Sequence, residues 1–238
     1  MDVNVVNPIP EPIEALHLIV SGRVQGVGFR PFIYRLAQSH RLTGWVRNRT
    51  GQVEIHVQGE NQALNAFTRR LFQHAPPLSQ PQLESCEPAP VDALDRFTIR
   101  KSAAADSGNI HVPPDLFTCD DCLAELHNPQ DRRYRYPFIN CTQCGPRYTL
   151  IRGMPYDRSA TTMATFELCD ACRREYSDPL NRRFHAEPVA CPACAPALHF
   201  TAPDHDKIHG NEDALAACVA ALQDGSIVAV KGIGGYHL

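Results

Sequence analysis

Residues 16–58 read LHLIVSGRVQGVGFRPFIYRLAQSHRLTGWVRNRTGQVEIHVQ, and the spacing of their apolar positions decides the first fold. Leu16–Val20 is a short, β-rich apolar run, which predicts a strand. Arg30–Arg41 places Phe32, Ile33, Leu36 and Ala37 at helical spacing. Leu42–Arg49 and Gln52–Gln58 predict two more strands, the second alternating through Val53, Ile55 and Val57. Thr50-Gly51 between them reads as a tight hairpin turn. Further out, Gln62–His74 predicts a helix with Leu64, Phe67 and Leu71 on one face. Gln82–Pro88 and Arg96–Lys101 predict short strands. The order β-α-β-β-α-β within residues 15–101 is that of a split βαβ, an α+β sandwich of the ferredoxin-like kind.

Between the first strand and the first helix lies Ser21-Gly22-Arg23-Val24-Gln25-Gly26-Val27-Gly28-Phe29-Arg30. Its glycines free the backbone of Gln25, Gly26, Val27, Gly28, Phe29 and Arg30 to curl, so that successive N–H groups can line one concavity. The start of the helix adds its own unpaired N–H groups at the same place. Pro31 suits an early helical position, where no N–H is missed. Arg30 closes the loop with a fork able to grip two phosphate oxygens. On loop chemistry alone, a phosphate cradle and a plain Gly-rich turn with a surface arginine both stay open.

The 238 residues are 43% hydrophobic and 21% charged, which excludes a wholly disordered chain. A formal net charge of −3 supplies no general attraction to nucleic acid or an anionic membrane. Met1–Pro12 lacks a basic flank followed by a long apolar run, and apolar stretches such as Ile227–Val230 are far too short to span a bilayer. Ten cysteines in such a chain point to a soluble protein of a reducing, cytoplasmic compartment, without a membrane partner, whose clustered thiols bind metal.

Eight of those cysteines form four CxxC pairs: Cys119/Cys122, Cys141/Cys144, Cys169/Cys172 and Cys191/Cys194. A shift of 50 residues lays the first two pairs on the last two. The same shift lays Asp120 on Asp170, Glu125 on Glu175, Pro129 on Pro179, Arg132-Arg133 on Arg182-Arg183 and Pro146 on Pro196. This is an internal duplication. Each copy holds four thiols, enough to close one tetrahedral zinc site, which predicts two structural zinc ions, each bound within one copy. Interleaved pairing of the copies and an iron–sulfur cluster are the weaker readings. Between Cys119 and Cys194, ten Arg balance ten Asp plus Glu, so the module is not a basic nucleic-acid surface. Tyr134, Tyr136 and Phe138 are expected to fill the small core around the metal. Cys86, in a predicted strand, and Cys218, in a predicted helix, are expected to be small buried hydrophobes.

At the end of the chain, Asn211 is expected to cap a helix that begins with Glu212 and Asp213 and runs to about Gln223. Its apolar face would be Leu215, Cys218, Val219 and Leu222. Ser226–Val230 predicts a buried strand, followed by Lys231-Gly232-Ile233-Gly234-Gly235. One helix and one strand cannot bury their apolar faces alone. The expectation is therefore the front of a longer protein, or an incomplete chain.

Two resemblances follow from these motifs. VQGVGFR (24–30) resembles the signature of the acylphosphatase family, and GWVRNRTGQVE (44–54) resembles its second segment. That resemblance implies that Arg30 binds the phosphate and that Asn48, 18 residues on, holds the attacking water. The reaction implied is cleavage of a carboxylic–phosphoric anhydride or of carbamoyl phosphate, which needs no metal because the leaving group is already good. RRYRYPFINCTQCGPRYTLIRGMPYDR (132–158), the second four-cysteine unit and KGIGGYHL (231–238) make nearly the whole chain similar to HypF, the hydrogenase-maturation carbamoyltransferase family. That similarity implies a layout: an N-terminal tail (1–14), an acylphosphatase-like domain (15–101), a linker (102–116), a tandem zinc-finger module (117–200, as about 117–150 and 167–200), and the first edge of a YrdC-like domain (201–238). In that family the first domain hydrolyses carbamoyl phosphate. The YrdC-like domain uses ATP to form carbamoyl adenylate, and a later domain passes the carbamoyl group to a cysteine of a HypE acceptor, for the cyanide ligand of nickel–iron hydrogenase. Lys231 would open the nucleotide pocket. Two other readings are an acylphosphatase of broader substrate use with structural zinc, and a non-enzymatic zinc interaction module.

Overall fold

The computed structural model describes residues 12–103, 115–203 and 205–238. Most of the predicted tail and of the predicted linker lies outside the described residues. The described chain divides into two compact units, residues 12–103 apart from 26–28, and the rest.

The first unit is a sheet with two helices. Strand β1 (Ile13–Arg23) leads to α1 (Phe29–Ser39), β2 (Thr43–Arg49), β3 (Gln52–Glu60), α2 (Asn61–Gln73), β4 (Gln80–Pro88) and β5 (Phe97–Ile99). The sheet order is β4-β1-β3-β2-β5. The β1–β3, β1–β4 and β2–β3 pairs are antiparallel, and β5 adds to β2 in parallel. The ferredoxin-like sandwich predicted from the apolar pattern is therefore present, and the strand predicted over Arg96–Lys101 is its further edge strand, β5.

Local chemistry sets the boundaries. Helix α1 stops two residues before the predicted Arg41 because Arg41 turns left-handed, at φ 56°. The Leu42 N–H then bonds back to the Ala37 carbonyl at 2.9 Å and the Arg41 N–H to that of Gln38 at 3.0 Å, which closes the helix in a Schellman turn. Gly51, at φ 73°, makes the predicted hairpin turn. Leu64, Phe67 and Leu71 of α2 are buried, as their spacing predicts.

Strand register sorts the sheet into two faces. Leu18, Ile55 and Val46 form one row across it, and Val20, Val53 and Asn48 form the next. All six are fully buried. The opposite face carries the rows Ile19–Glu54–Arg47 and His17–His56–Trp45. There Glu54 accepts from Arg47 Nε at 2.7 Å and lies 2.8 Å from His17 Nε2. Trp45 stacks on His56, and the Arg47 and Arg100 guanidiniums sit 4.9 and 4.5 Å from its ring centre.

The second unit repeats itself. Helices α3 (Asp120–His127) and α4 (Asp170–Ser177) are offset by the same 50 residues as the cysteines. Arg135 and His185, at that offset, both take left-handed backbone, at φ 55° and 52°. Tyr136 is buried and meets Phe138 edge-on, while Tyr134 is partly exposed. The hairpin β6 (His199–Phe200) with β7 (Ile208–His209) precedes α5 (Asn211–Gln223), and a second hairpin pairs β8 (Val230–Lys231) with β9 (Tyr236–His237).

Four expectations are corrected. Asn211 is not the cap of α5. Gly210 holds that position, and the Asn211 side chain accepts the Leu198 N–H at 2.7 Å, tying the helix to the preceding hairpin. Ser226–Val230 is not a buried strand: only Val230 enters a strand, and Ile227 is 91% exposed. An apolar run becomes a buried strand only between neighbouring strands, and β9 is the sole partner among the described residues. For the same reason Val219 and Leu222 of the predicted apolar face of α5 stay about half exposed. Cys86 is exposed, because β4 is an edge strand, whereas Cys218 is half buried.

Candidate anion loop and metal centres

The loop after β1 is built to stay curled. Gly26 and Gly28 take φ of 70° and 74°, on either side of Val27, which does not. Alternation of this kind turns successive N–H groups toward one side and is the backbone pattern of anion-binding nests. The loop is also well buried: Gln25, Val27, Phe29 and Arg30 are each 7% exposed or less. Arg30 falls in the first turn of α1, where the free N–H groups and the positive end of the helix lie.

Gln25 has a role that sequence reasoning missed. Its Nε2 donates to the Arg49 carbonyl at 2.7 Å and to the Gln52 carbonyl at 2.9 Å. These two carbonyls flank Thr50-Gly51, so one amide pins the loop to the β2–β3 turn. Asn48 lies just before that turn, in register with the buried Val53 and Val20, and is wholly buried. No pattern in the sequence could have revealed the pin, because its acceptors are backbone carbonyls.

The eight paired cysteines gather into two clusters, Cys119/Cys122/Cys141/Cys144 and Cys169/Cys172/Cys191/Cys194, with the sulfurs of each within 4.8 Å of one another. In the first, S···S separations are 3.5 Å (Cys119–Cys141), 3.6 Å (Cys119–Cys144) and 3.9 Å (Cys141–Cys144). In the second they are 3.8 Å (Cys169–Cys191), 3.6 Å (Cys191–Cys194) and 3.7 Å (Cys172–Cys194). A tetrahedral zinc with Zn–S bonds of about 2.3 Å holds its sulfurs about 3.8 Å apart, so both donor sets fit the ion. Each cluster draws all its ligands from one repeat, as the duplication predicts. Cys119 and Cys169 occupy the N-cap positions of α3 and α4. Cys119 N–H and Gln143 N–H point at the sulfurs of Cys144 and Cys141, at 3.4 and 3.3 Å.

The repeats also trade arginines. From the first repeat, Arg132 and Arg133 reach Cys172 Sγ at 3.3 and 3.5 Å and both bond to Glu175. From the second, Arg182 reaches Cys122 Sγ at 3.1 Å and Cys119 Sγ at 3.7 Å, and both Arg182 and Arg183 bond to Glu125. Burial would raise the Glu175 carboxyl, but the hydrogen bonds and charges of Arg133 and Arg132 outweigh it and hold the group down to about 2. Glu125 is likewise lowered, with Arg183 and Arg182 overcoming burial. Lys231 is exposed on β8, with its ammonium 5.7 Å from the Tyr236 ring centre.

Comparison with known proteins agrees with this geometry. The acylphosphatase family profile matches residues 16–99, and the HypF finger profile matches residues 118–151 and 168–201. A carbamoyltransferase HypF of Synechocystis is 51% identical over 95% of this chain and 29% of its own length. An acylphosphatase of Bacillus licheniformis is 41% identical over 34% of this chain and 92% of its own length. A crystal structure of full-length HypF in a phosphate- and nucleotide-bound form superposes with a TM-score of 0.87 at 43% identity, covering 98% of this chain and 30% of that one. The chain thus spans somewhat under a third of the length of the HypF relatives it matches. With an acylphosphatase region followed by two HypF fingers, the chain belongs to the HypF family.

Proposed function

We propose that residues 15–101 hydrolyse carbamoyl phosphate. Arg30 and the N–H groups of the Gln25–Arg30 loop hold the phosphoryl group, and Asn48 holds the water that attacks it. The observation that carries this reading is the Gln25 pin, which fixes the curled loop to the turn beside the buried Asn48. The P–O bond to the carbamoyl carbon's oxygen breaks and carbamate leaves with the electron pair. The protein's part is position and charge: donors preset around the phosphoryl oxygens and a water already in place.

The two four-cysteine clusters, within about 117–150 and 167–200, hold one zinc each. Zinc, when bound, would cross-link the two CxxC pairs of each repeat and, in the first repeat, reinforce the small apolar core that Tyr136, Ile139 and Met163 form around its cysteines. Four thiolates close each site, so the ions are structural. The reducing cytoplasm keeps these thiols available. Residues 201–238 form the first edge of a YrdC-like domain in which Lys231 opens a nucleotide pocket. We take ATP as the nucleotide of that pocket and a HypE-like protein as the acceptor of the carbamoyl group.

The similarity of 16–99 to an acylphosphatase over nearly all of that protein's length favours a second substrate class, the aryl acyl phosphates. Phosphate release from carbamoyl phosphate and from benzoyl phosphate is measured for the chain, for Arg30→Ala and for Asn48→Ala. Turnover of carbamoyl phosphate that falls at least about 100-fold in both variants, with the fold retained, is expected. Faster turnover of benzoyl phosphate assigns a general acylphosphatase. Turnover that survives Arg30→Ala refutes the site.

A further inference from the structure

We propose that the two four-cysteine sites are one coupled metal centre, in which each repeat supplies the cations that hold the other repeat's metal. The proposal rests on the zinc reading. A zinc with four thiolates carries a formal charge of −2, and these thiolates are mostly buried. Such a group needs nearby cations or N–H donors. The arginine side chains that reach the sulfurs all come from the opposite repeat.

The two most buried arginines do more than neutralise. Arg133 reaches Cys172 Sγ in the first CxxC pair of the second repeat and donates from Nε, at 2.8 Å, to the carbonyl of Ala190, just before the second pair. It therefore braces both halves of a cluster to which it contributes no ligand. Arg183 does the same in return: its Nε donates to the Asn140 carbonyl at 3.0 Å, just before Cys141, while its other end lies near Cys122 Sγ. Glu175 and Glu125, one helical turn after Cys172 and Cys122, take the remaining N–H groups and aim the forks. The Arg133 and Arg183 side chains are only 1% and 3% exposed. Losing the metal from one cluster would leave the other repeat's buried arginine facing thiols in place of the zinc–thiolate anion, with the glutamate as its one remaining charged partner. The penalty falls on the repeat that still holds zinc, and linkage makes it reciprocal.

The test uses the whole chain. Zinc is counted by native mass spectrometry along a chelator titration. The expected result is a shift from two-zinc to zinc-free protein with little one-zinc species. A statistical one-zinc population overturns the coupling and leaves the zinc reading intact, whereas a folded chain with no zinc overturns both. A second arm breaks the second cluster with Cys191→Ser and Cys194→Ser and measures zinc affinity at the first. A loss of about tenfold or more is expected, as for removal of outer partners of a metal site. Arg182→Gln, at a half-buried residue outside both ligand sets, should lower first-site affinity in the parent yet add little in the broken background, and Arg182→Lys should restore part of it. Unchanged first-site affinity in the broken chain, or full additivity of Arg182→Gln, overturns the proposal.

Discussion

Replacing Glu54 by Gln should destabilise the first unit by about 2 kcal/mol at neutral pH, and the loss should vanish in acid. Glu54 sits on the polar face of the sheet with its side chain 8% exposed, held by Arg47 Nε at 2.7 Å and His17 Nε2 at 2.8 Å. Hydrogen bonds to a charged group contribute about 1.5–3 kcal/mol each, but both partners here are about one-third exposed, so water recovers part of the loss. Burial alone would raise the Glu54 carboxyl, but the hydrogen bonds from Arg47 and His17 outweigh it and hold the group below its ordinary 4.5. The folded state thus binds this proton more weakly than the unfolded chain does. The stability Glu54 contributes is complete above pH 4.5 and drains away as pH falls through the lower folded value. The assay is built in, because Trp45 is the only tryptophan of the chain and lies in this unit. Urea unfolding followed by its fluorescence reads the first unit without the zinc module. Both chains carry the same thiolates, so acid release of metal cancels in the difference. A difference under about 0.5 kcal/mol at pH 7, the range of ordinary surface changes, or one that persists unchanged in acid, refutes the ion-pair account.

Gly44→Ala should cost the same unit more than about 2 kcal/mol by the same fluorescence assay, since φ is +143° there and a Cβ would lie 2.1 Å from the His56 carbonyl oxygen across the ladder. Gln25→Ala, which removes both hydrogen bonds of the pin, should lower kcat/KM for carbamoyl phosphate about tenfold under conditions where the Trp45 signal shows the unit still folded; an unaffected rate shows that the loop does not need its pin. Alkylation of the zinc-loaded chain should modify Cys86 first and Cys218 more slowly, and a chelator should open the other eight to labelling; early labelling of any of those eight contradicts two closed sites. Chelation should also remove the ellipticity of α3 and α4 while the Trp45 signal holds, because metal binding in such modules is folding free energy.

The parts of the fold that could be read from the sequence are those in which one segment carries its own instructions. The alternation through Val53, Ile55 and Val57 and the left-handed Gly51 define a hairpin whichever protein surrounds them. The 50-residue offset likewise gave both thiol clusters, because a CxxC pair and its partner pair fall within one copy. Reading failed where a residue acts on something outside its own segment. Asn211 has the chemistry of a cap, but a competing N–H at Leu198 takes its side chain. Ser226–Val230 has the composition of a buried strand, but burial depends on what flanks it.

The same distinction separates the two kinds of residue at the candidate sites. Arg30, Asn48 and the eight cysteines stand in recognisable spacings because motif spacing reflects their local backbone. The residues that arrange them do not. Gln25 is set by two carbonyls more than twenty residues away, and nothing but the folded hairpin tells that both face its amide. The Arg132-Arg133 and Arg182-Arg183 pairs were visible as a repeated string, yet the string is equally consistent with each pair serving its own cluster. Only the chain's return on itself shows that each serves the other. Each copy keeps its four cysteines together and lends only its arginines, through Cys172 and Glu175 in one direction and Cys122 and Glu125 in the other.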